Sequence, residues 1–280
     1  MITKEINGKT ALCLVIGDPV THSLTPRMHN AGYAAIKLDS EPNSQLNYCM
    51  AAATVRQADL AQAIAGVRAL SIRGLAVTMP HKVAICPLLD ALDPVAEAIG
   101  AVNTVVNHGG KLTGYNTDWL GIVRPIESRV SLIGKRVAIL GAGGAAQAAV
   151  YGCTKSGALV TVFNRTPSKA RETAAPFNAA WGELCESTEV EPFDIIINTT
   201  PVGMGNLVGQ TPIAGHKLKR QQIVFETIYS PRETNLVIEA QKVGCEVITG
   251  LEMFLEQGAA QFELHTTQVA PRDEMKKVLQ

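Results

Sequence analysis

Short apolar runs alternate along this chain with stretches in which apolar residues recur every three to four positions. Residues 12–17 form an apolar run that stops at Gly17-Asp18-Pro19, which predicts a buried strand and a turn. Residues 26–36 follow as a helix with Pro26 in its first turn, where a missing N–H costs nothing. Residues 46–51 read as a second strand. Residues 55–70 read as a helix with Leu60, Ile64 and Val67 on one face, and 74–79 as a third strand closed by Pro80. The pattern over 83–92 and 94–99 predicts helices and that over 101–106 a strand, with Gly109-Gly110 turning the chain into a hairpin with 112–115. A second unit begins near Gly134, with a strand at 137–140, a glycine-rich turn, an Ala-rich helix at 144–156 ended by Gly157, and a strand at 158–163. Further strands are expected at 194–198, 223–226 and 246–249 with helices between them, and a last helix at 252–265 is expected to cross back to the first unit. Such strand–helix alternation predicts mostly parallel sheets covered by helices on both faces.

The 280 residues suffice for two domains. With 46% hydrophobic and 18% charged residues, the chain can bury a full core and is not predominantly disordered. Its 25 basic residues balance 25 acidic ones, which argues against a general nucleic-acid binder. Residues 137–154 are uncharged and just long enough to consider as a membrane span. The glycines at 141, 143 and 144 in their middle favour a strand, a turn and a helix start, so no membrane partner is expected. Residues 1–7 carry no apolar leader, and the six cysteines stand singly without a CxxC pair. Reduced thiols in a cytoplasmic protein are expected. No histidine or cysteine falls at ligand spacing, so no metal is expected.

Candidate chemistry begins at the glycine-rich turn. Gly141-Ala142-Gly143-Gly144-Ala145 joins an apolar strand to a helix, and Ala146 stands where a GxGxxG loop has its third glycine. Such a loop lets backbone N–H groups approach a pyrophosphate at the positive end of a helix. The following strand ends at Asn164-Arg165-Thr166, with Lys169 close behind. A carboxylate there would accept from the ribose 2′-OH of NAD, whereas a guanidinium binds the 2′-phosphate of NADP. The residues therefore argue for NADP.

In the first unit, four polar segments exceed what connecting loops need. They are 17–30 (Ser23, Thr25), 76–82 (Thr78, Lys82), 100–104 (Asn103) and 114–121 (Asp118). Ser23 and Thr25 flank a helix start and could cap it or bind a carboxylate. His22 and His29 are read as bonding locally around that helix, and His81 as a surface neighbour of Lys82.

These segments, in order and spacing, resemble the shikimate dehydrogenase family over nearly the whole chain. The likeness rests on the G-x-P-x-x-H-S-x-[ST]-P-x-x-H-N-like stretch at 17–30, V-T-x-P-x-K at 77–82, G-A-V-N-T at 100–104 and G-x-N-T-D-x-x-G at 114–121. G-A-G-G-A at 141–145, N-R-T at 164–166, N-T-T-P-x-G-M at 198–204, Tyr229-Ser230-Pro231 and the Gly250, Met253, Gln257, Phe262 pattern complete it. The resemblance implies reversible NADP-linked reduction of 3-dehydroshikimate to shikimate in aromatic amino-acid biosynthesis. It implies Ser23 and Thr25 at the substrate carboxylate, and Thr78, Asn103 and Gln257 at ring hydroxyls. It implies Lys82 and Asp118 as the catalytic pair, with Tyr229 near the substrate, and Thr227 and Gly250 near the nicotinamide.

The chain departs from the family's pattern at several positions. Thr25 stands where a second serine is common, which leaves quinate or a related cyclic polyol acid as an alternative substrate. Ala76 replaces the usual Asn, Glu226 stands where Asp is frequent, and His265 where Trp is frequent. A cofactor-binding sensor without catalysis is the reading from another class, against which the intact Lys82 and Asp118 speak. The expected α/β architecture has an open, mostly parallel substrate domain over 1–120, completed by 250–280. A Rossmann-type NADP domain over 121–249 stands across a cleft from it, in a monomer or homodimer.

Overall fold

The computed structural model describes residues 6–36 and 47–279. The first five residues, the predicted strand start at Leu46 and most of the leader reading therefore lie outside the described residues. The chain divides into two compact units. One runs up to Thr117 and resumes at Gln257, and the other is Asp118–Glu256.

The first unit builds a six-stranded sheet from β1 (Ala11–Gly17), β2 (Tyr48–Thr54), β3 (Gly74–Val77), β4 (Ala91–Leu92), β5 (Thr104–His108) and β6 (Lys111–Tyr115). Helices α1 (Thr25–Ala35), α2 (Leu60–Ala69), α3 (His81–Ala84) and α4 (Pro94–Ile99) connect them. The strand order is β2-β1-β3-β5-β6-β4. β1 is parallel to β2 and β3, the β5–β6 hairpin is antiparallel to β3, and β4 lies parallel to β6. As the spacing predicts, Leu60, Ile64 and Val67 of α2 are buried, joining Ile16, Leu75, Val77, Val105 and Leu112 in one core cluster. Asp93 caps α4 by accepting from Val95 N–H at 2.9 Å.

The helix predicted over 83–92 does not form. α3 ends at Ala84, Cys86–Leu88 is a single 3₁₀ turn, and Ala91–Leu92 is a strand. Pro87 lacks the N–H a helix would need and disfavours helical geometry at Cys86. Asp90 then takes bonds from Leu112 N–H (2.6 Å) and Arg68 (2.9 Å), which holds the chain extended beside β6. Gly114 makes room for it: a Cβ there would stand 2.6 Å from Leu89 Cδ1.

The second unit opens with α5 (Asp118–Glu127) and then builds six strands: β7 (Arg136–Leu140), β8 (Leu159–Asn164), β9 (Ala180–Glu183), β10 (Ile195–Asn198), β11 (Ile223–Glu226) and β12 (Glu246–Ile248). Helices α6 (Gly144–Lys155), α7 (Pro167–Ala174) and α8 (Asn235–Val243) are interleaved. All pairs are parallel in the order β12-β11-β10-β7-β8-β9. Numbered within the unit this is 6-5-4-1-2-3, the doubly wound dinucleotide arrangement, and its switch point lies between β7 and β10. Alternate residues feed opposite faces: Val137, Ile139, Ile195 and Ile197 join one core cluster, and Ala138, Leu140 and Ile196 the other. β9 was not expected; it is a short edge strand with Trp181 48% exposed, so no apolar run marks it.

The last long helix, α9 (Gly250–Thr266), begins in the second unit and from Gln257 belongs to the first, followed by α10 (Arg272–Lys277). Among the described residues no helix is long and apolar enough to cross a membrane.

Candidate functional site

Strand directions in the first unit bring four sequence segments to one sheet edge. The C-terminal ends of β1, β3 and β6 and the N-terminal end of β5 fall together, because β5 runs antiparallel to its neighbours. Thr78 N–H donates to Ile16 O at 2.9 Å, Val77 N–H to Asn103 O at 2.7 Å, and Asn103 N–H to Tyr115 O at 3.0 Å. Val102 N–H donates to Lys82 O at 2.8 Å, so the short helix carrying Lys82 is tied to the segment carrying Asn103. Gly17 permits this convergence: a Cβ there would lie 2.4 Å from Thr78 Cγ2.

Asn103, 1% exposed, organises this edge. Its Oδ1 accepts from Thr117 N–H and Thr104 Oγ1, both at 2.8 Å, and its Nδ2 faces Thr117 Oγ1 at 2.9 Å and Gln257 Oε1 at 3.4 Å. Gln261, one turn beyond Gln257 on α9, donates to the Asn103 carbonyl at 3.0 Å. At the start of α1, Thr25 N–H donates to Ser23 Oγ at 3.3 Å, and the helix takes no side-chain cap at Leu24. Two hydroxyls and uncapped N–H groups at one helix start suit a carboxylate. His81 departs from its expected place. It is fully buried, with Nε2 2.6 Å from Val55 O, because the ring that opens α3 turns inward to hold the chain after β2.

In the second unit, Gly141 has φ +115°, and a Cβ on it would meet Thr199 Oγ1 at 2.5 Å. Only glycine serves both demands. Thr199 is held there by donating to Leu140 O at 2.7 Å. A Cβ on Gly143 would meet nothing within 4 Å, and α6 starts there with no side-chain cap. Open space before uncapped N–H groups at the start of a twelve-residue helix fits a pyrophosphate. Asn164 shapes the turn after β8 by donating to Thr166 O at 3.1 Å. Arg165, Thr166 and Lys169 are exposed, and among the described residues neither cation makes an ion pair. Two uncommitted cations at that strand end suit a phosphate better than a ribose hydroxyl.

The ends of β10 and β11 carry residues that the sequence reading did not place in the site. Asn198 and Glu226 are opposite one another in register and both fully buried. Thr227, expected beside the cofactor, donates its hydroxyl to Asn198 O at 2.7 Å. Tyr229 packs on Phe254 with ring centroids 5.0 Å apart, and burial raises its pKa. Gly250 lets α9 start against the loop after β11, since a Cβ there would lie 2.4 Å from Ile228 O. Trp119 stacks edge-on to Tyr151 at 5.7 Å and packs against the core. Of the expected catalytic pair, Lys82 belongs to the first unit, while Asp118, 3% exposed, opens α5 as the first residue of the second.

Three family models match consecutive parts of the chain. They are the shikimate dehydrogenase substrate binding domain over residues 15–105, the shikimate/quinate 5-dehydrogenase domain over 125–246, and the shikimate 5′-dehydrogenase C-terminal domain over 250–280. The shikimate dehydrogenase (NADP(+)) of Moorella thermoacetica is 43% identical over 98% of this chain and 94% of its own length. The chain belongs to the shikimate dehydrogenase family. A crystal structure of a shikimate dehydrogenase in complex with NADP+ superposes with a TM-score of 0.92 at 36% identity, covering 100% of this chain and 98% of that one. The Listeria monocytogenes shikimate 5-dehydrogenase, solved in complex with shikimate and NAD, superposes with a TM-score of 0.89, also at 36% identity, over 100% and 99% of the two chains. The first family model contains Ser23, Thr25, Thr78, Lys82 and Asn103, and the second the whole glycine-rich turn and Arg165. Asp118 falls between the matched ranges.

Proposed function

We propose that this chain is an NADP-dependent shikimate dehydrogenase that interconverts 3-dehydroshikimate and shikimate in aromatic amino-acid biosynthesis. The observation that carries the reading is the likeness, over 98% of the chain, to a shikimate dehydrogenase (NADP(+)), with Lys82 and Asp118 both present at the motif positions. Bound NADP(H) supplies or accepts the hydride. The overall balance is 3-dehydroshikimate, NADPH and a proton against shikimate and NADP+.

On this reading Ser23 and Thr25 hold the substrate carboxylate at the start of α1. Thr78, Asn103 and Gln257 bind ring hydroxyls, which the Asn103–Gln257 contact of 3.4 Å supports by placing both amides on one spot. Tyr229 completes the substrate contacts. Lys82 gives its proton to the oxygen that becomes the alkoxide and stabilises the charge that builds there, and Asp118 is the second member of the catalytic pair. Gly141, Ala142, Gly143, Gly144 and Ala145 hold the pyrophosphate. Asn164, Arg165, Thr166 and Lys169 hold the 2′-phosphate, and Thr227 and Gly250 shape the nicotinamide end. All six cysteines are unbridged, which supports a cytoplasmic location.

The test follows absorbance at 340 nm with NADP+ and shikimate or quinate. Lys82→Ala should lower kcat by about 10²- to 10⁴-fold, the usual worth of a positioned proton donor, while NADP+ still binds. Absence of turnover by the unaltered enzyme with either acid would remove the assigned activity.

A further inference from the structure

Glu226 stands at the end of β11 with no exposed surface. Every group bonded to it donates. Asn198 Nδ2 reaches its two oxygens at 3.0 and 3.1 Å, Ile228 N–H reaches Oε1 at 3.0 Å, and Thr234 Oγ1 reaches Oε2 at 2.8 Å. These donors cannot turn away. Asn198 must present its NH₂, because its Oδ1 accepts from Thr200 N–H (3.0 Å) and Thr200 Oγ1 (2.7 Å). Thr234 Oγ1 accepts from Val237 N–H at 3.3 Å as the cap of α8, which directs its hydrogen to the carboxylate. Burial raises the Glu226 carboxyl above its ordinary value, and the hydrogen bonds from Ile228, Asn198, Thr234 and Thr227 offset only part of that rise. A protonated carboxyl would turn an O–H against one of the donors, so this cradle is built for the anion.

No Lys, Arg or His pairs with Glu226 among the described residues. Its negative charge is therefore held by hydrogen bonds alone. The doubly wound fold divides the dinucleotide site into two halves, one per set of three strands. Arg165 and Lys169 mark the β7–β9 half as the adenosine end. The β10–β12 half, where Glu226 lies beside the switch-point strand, is then the nicotinamide end. The nicotinamide ring is cationic when oxidised and neutral when reduced, so a nearby buried anion distinguishes the two.

Resting on the NADP reading above, we propose that Glu226 is a charged positioning residue of the nicotinamide half: it ties the loops after β10 and β11 together and favours NADP+ over NADPH. It acts on the cofactor through Asn198, Thr227 and its own field. Thr227 donates to the carbonyl of Asn198, whose side chain Glu226 holds.

The test measures Kd for NADP+ and for NADPH by titration calorimetry on the full chain, for the unaltered protein, Glu226→Gln and Glu226→Asp. Glu226→Gln should weaken NADP+ more than NADPH, lowering the preference about three- to tenfold, and Glu226→Asp should restore most of it. Equal weakening of both forms would leave only a structural role and overturn the proposal, as would an unchanged ratio. Should Glu226→Gln fail to fold, carboxyl NMR of the unaltered protein decides: ionised Glu226 at pH 7 is expected, and a protonated one overturns the proposal. If the unaltered protein binds neither cofactor, the NADP reading itself falls. If it binds both and the ratio does not move, only the role of Glu226 falls.

Discussion

Two neutral histidines in the core of the first unit should make that unit acid-labile. His29 and His265 have no exposed surface, and their ring centroids lie 6.2 Å apart. Burial lowers the His29 pKa from 6.5 to about 3 and the His265 pKa from 6.5 to about 4. His265 Nε2, 3.2 Å from Val105 O, must carry its hydrogen, and the ring lies against Gly74, where a Cβ would stand 2.5 Å from it. In the unfolded chain both rings titrate near 6.5, while in the folded chain both stay neutral well below that. The stability they preserve is fully present above pH 6.5 and is lost as pH falls below it, because only the unfolded state takes up protons. Each ring approaches a slope of about 1.4 kcal/mol per pH unit below pH 6.5, where the unfolded ring is half protonated, so the pair costs about 3 kcal/mol between pH 6.5 and 5. That is a large share of the roughly 5–15 kcal/mol a domain holds.

The perturbation is His265→Phe, which keeps an aromatic ring beside Gly74 and cannot titrate. At pH 7.5 it should cost about 1–2 kcal/mol, since the Val105 carbonyl loses its donor. Between pH 6.5 and 5 the variant should then lose only about 1.5 kcal/mol, half the loss of the unaltered protein. Hydrogen exchange read by mass spectrometry on β1 and β5 peptides, corrected for intrinsic rates, follows this unit by itself. Tryptophan fluorescence would not, because Trp119 and Trp181 both lie in the second unit. There Glu226, whose carboxyl is raised by burial, works in the opposite sense: it takes its proton first when folded, so acidification does not cost it stability. Identical pH slopes for β1 and β5 in the two proteins would refute the reasoning.

Three further outcomes follow from single residues. Arg165→Ala removes a cation at the end of β8 and should lower the kcat/KM preference for NADP+ over NAD+ by about 10- to 100-fold, since charge-assisted bonds to a phosphate are worth roughly 1.5–3 kcal/mol; steady-state rates with both cofactors check it. Gly141→Ala forces a Cβ to within 2.5 Å of Thr199 Oγ1 at φ +115°. It should cost at least about 1–2 kcal/mol and weaken NADP+ binding, read by thermal unfolding with and without cofactor. Asp93→Ala removes the cap bond to Val95 N–H and should lower stability by about 1 kcal/mol in urea denaturation without changing cofactor affinity.

Periodicity along the chain marks most elements because each is paid for by burying one face. β11 falls at residues 223–226 as predicted, and the buried face of α2 is the predicted one. Periodicity fails where one residue breaks it or where nothing is buried. Pro87 breaks an otherwise helical pattern, and β9 sits at an exposed sheet edge. The sequence alone puts His81 at the surface, because a polar residue beside a candidate lysine looks exposed until its partner carbonyl, Val55 O, is known. That partner is 26 residues away in sequence.

The site shows the same division more sharply. Motif matching selects polar residues at strand ends but does not say whether their polar atoms are already used. Asn198 belongs to a motif segment and Thr227 is read as lying beside the nicotinamide, yet the Thr227 hydroxyl is taken up by the Asn198 carbonyl, and the Asn198 amide accepts from Thr200 and donates to Glu226. Among the described residues, by contrast, the Thr25 and Thr78 hydroxyls bond to no protein group, and Arg165 and Lys169 pair with no carboxylate. Atoms with unused bonding capacity can meet a ligand directly; atoms already committed position those that do, or meet a ligand only where it displaces a partner, as a substrate hydroxyl would at the Asn103–Gln257 contact. Only strand order and register separate the two kinds. Asn198 and Glu226 are 28 residues apart and become neighbours because β10 and β11 pair in parallel. Substitutions at uncommitted residues should therefore alter affinity and selectivity with little loss of stability. Those at Asn198, Glu226 or Thr234 should alter both together, because each carries part of a network that leaves no donor unused.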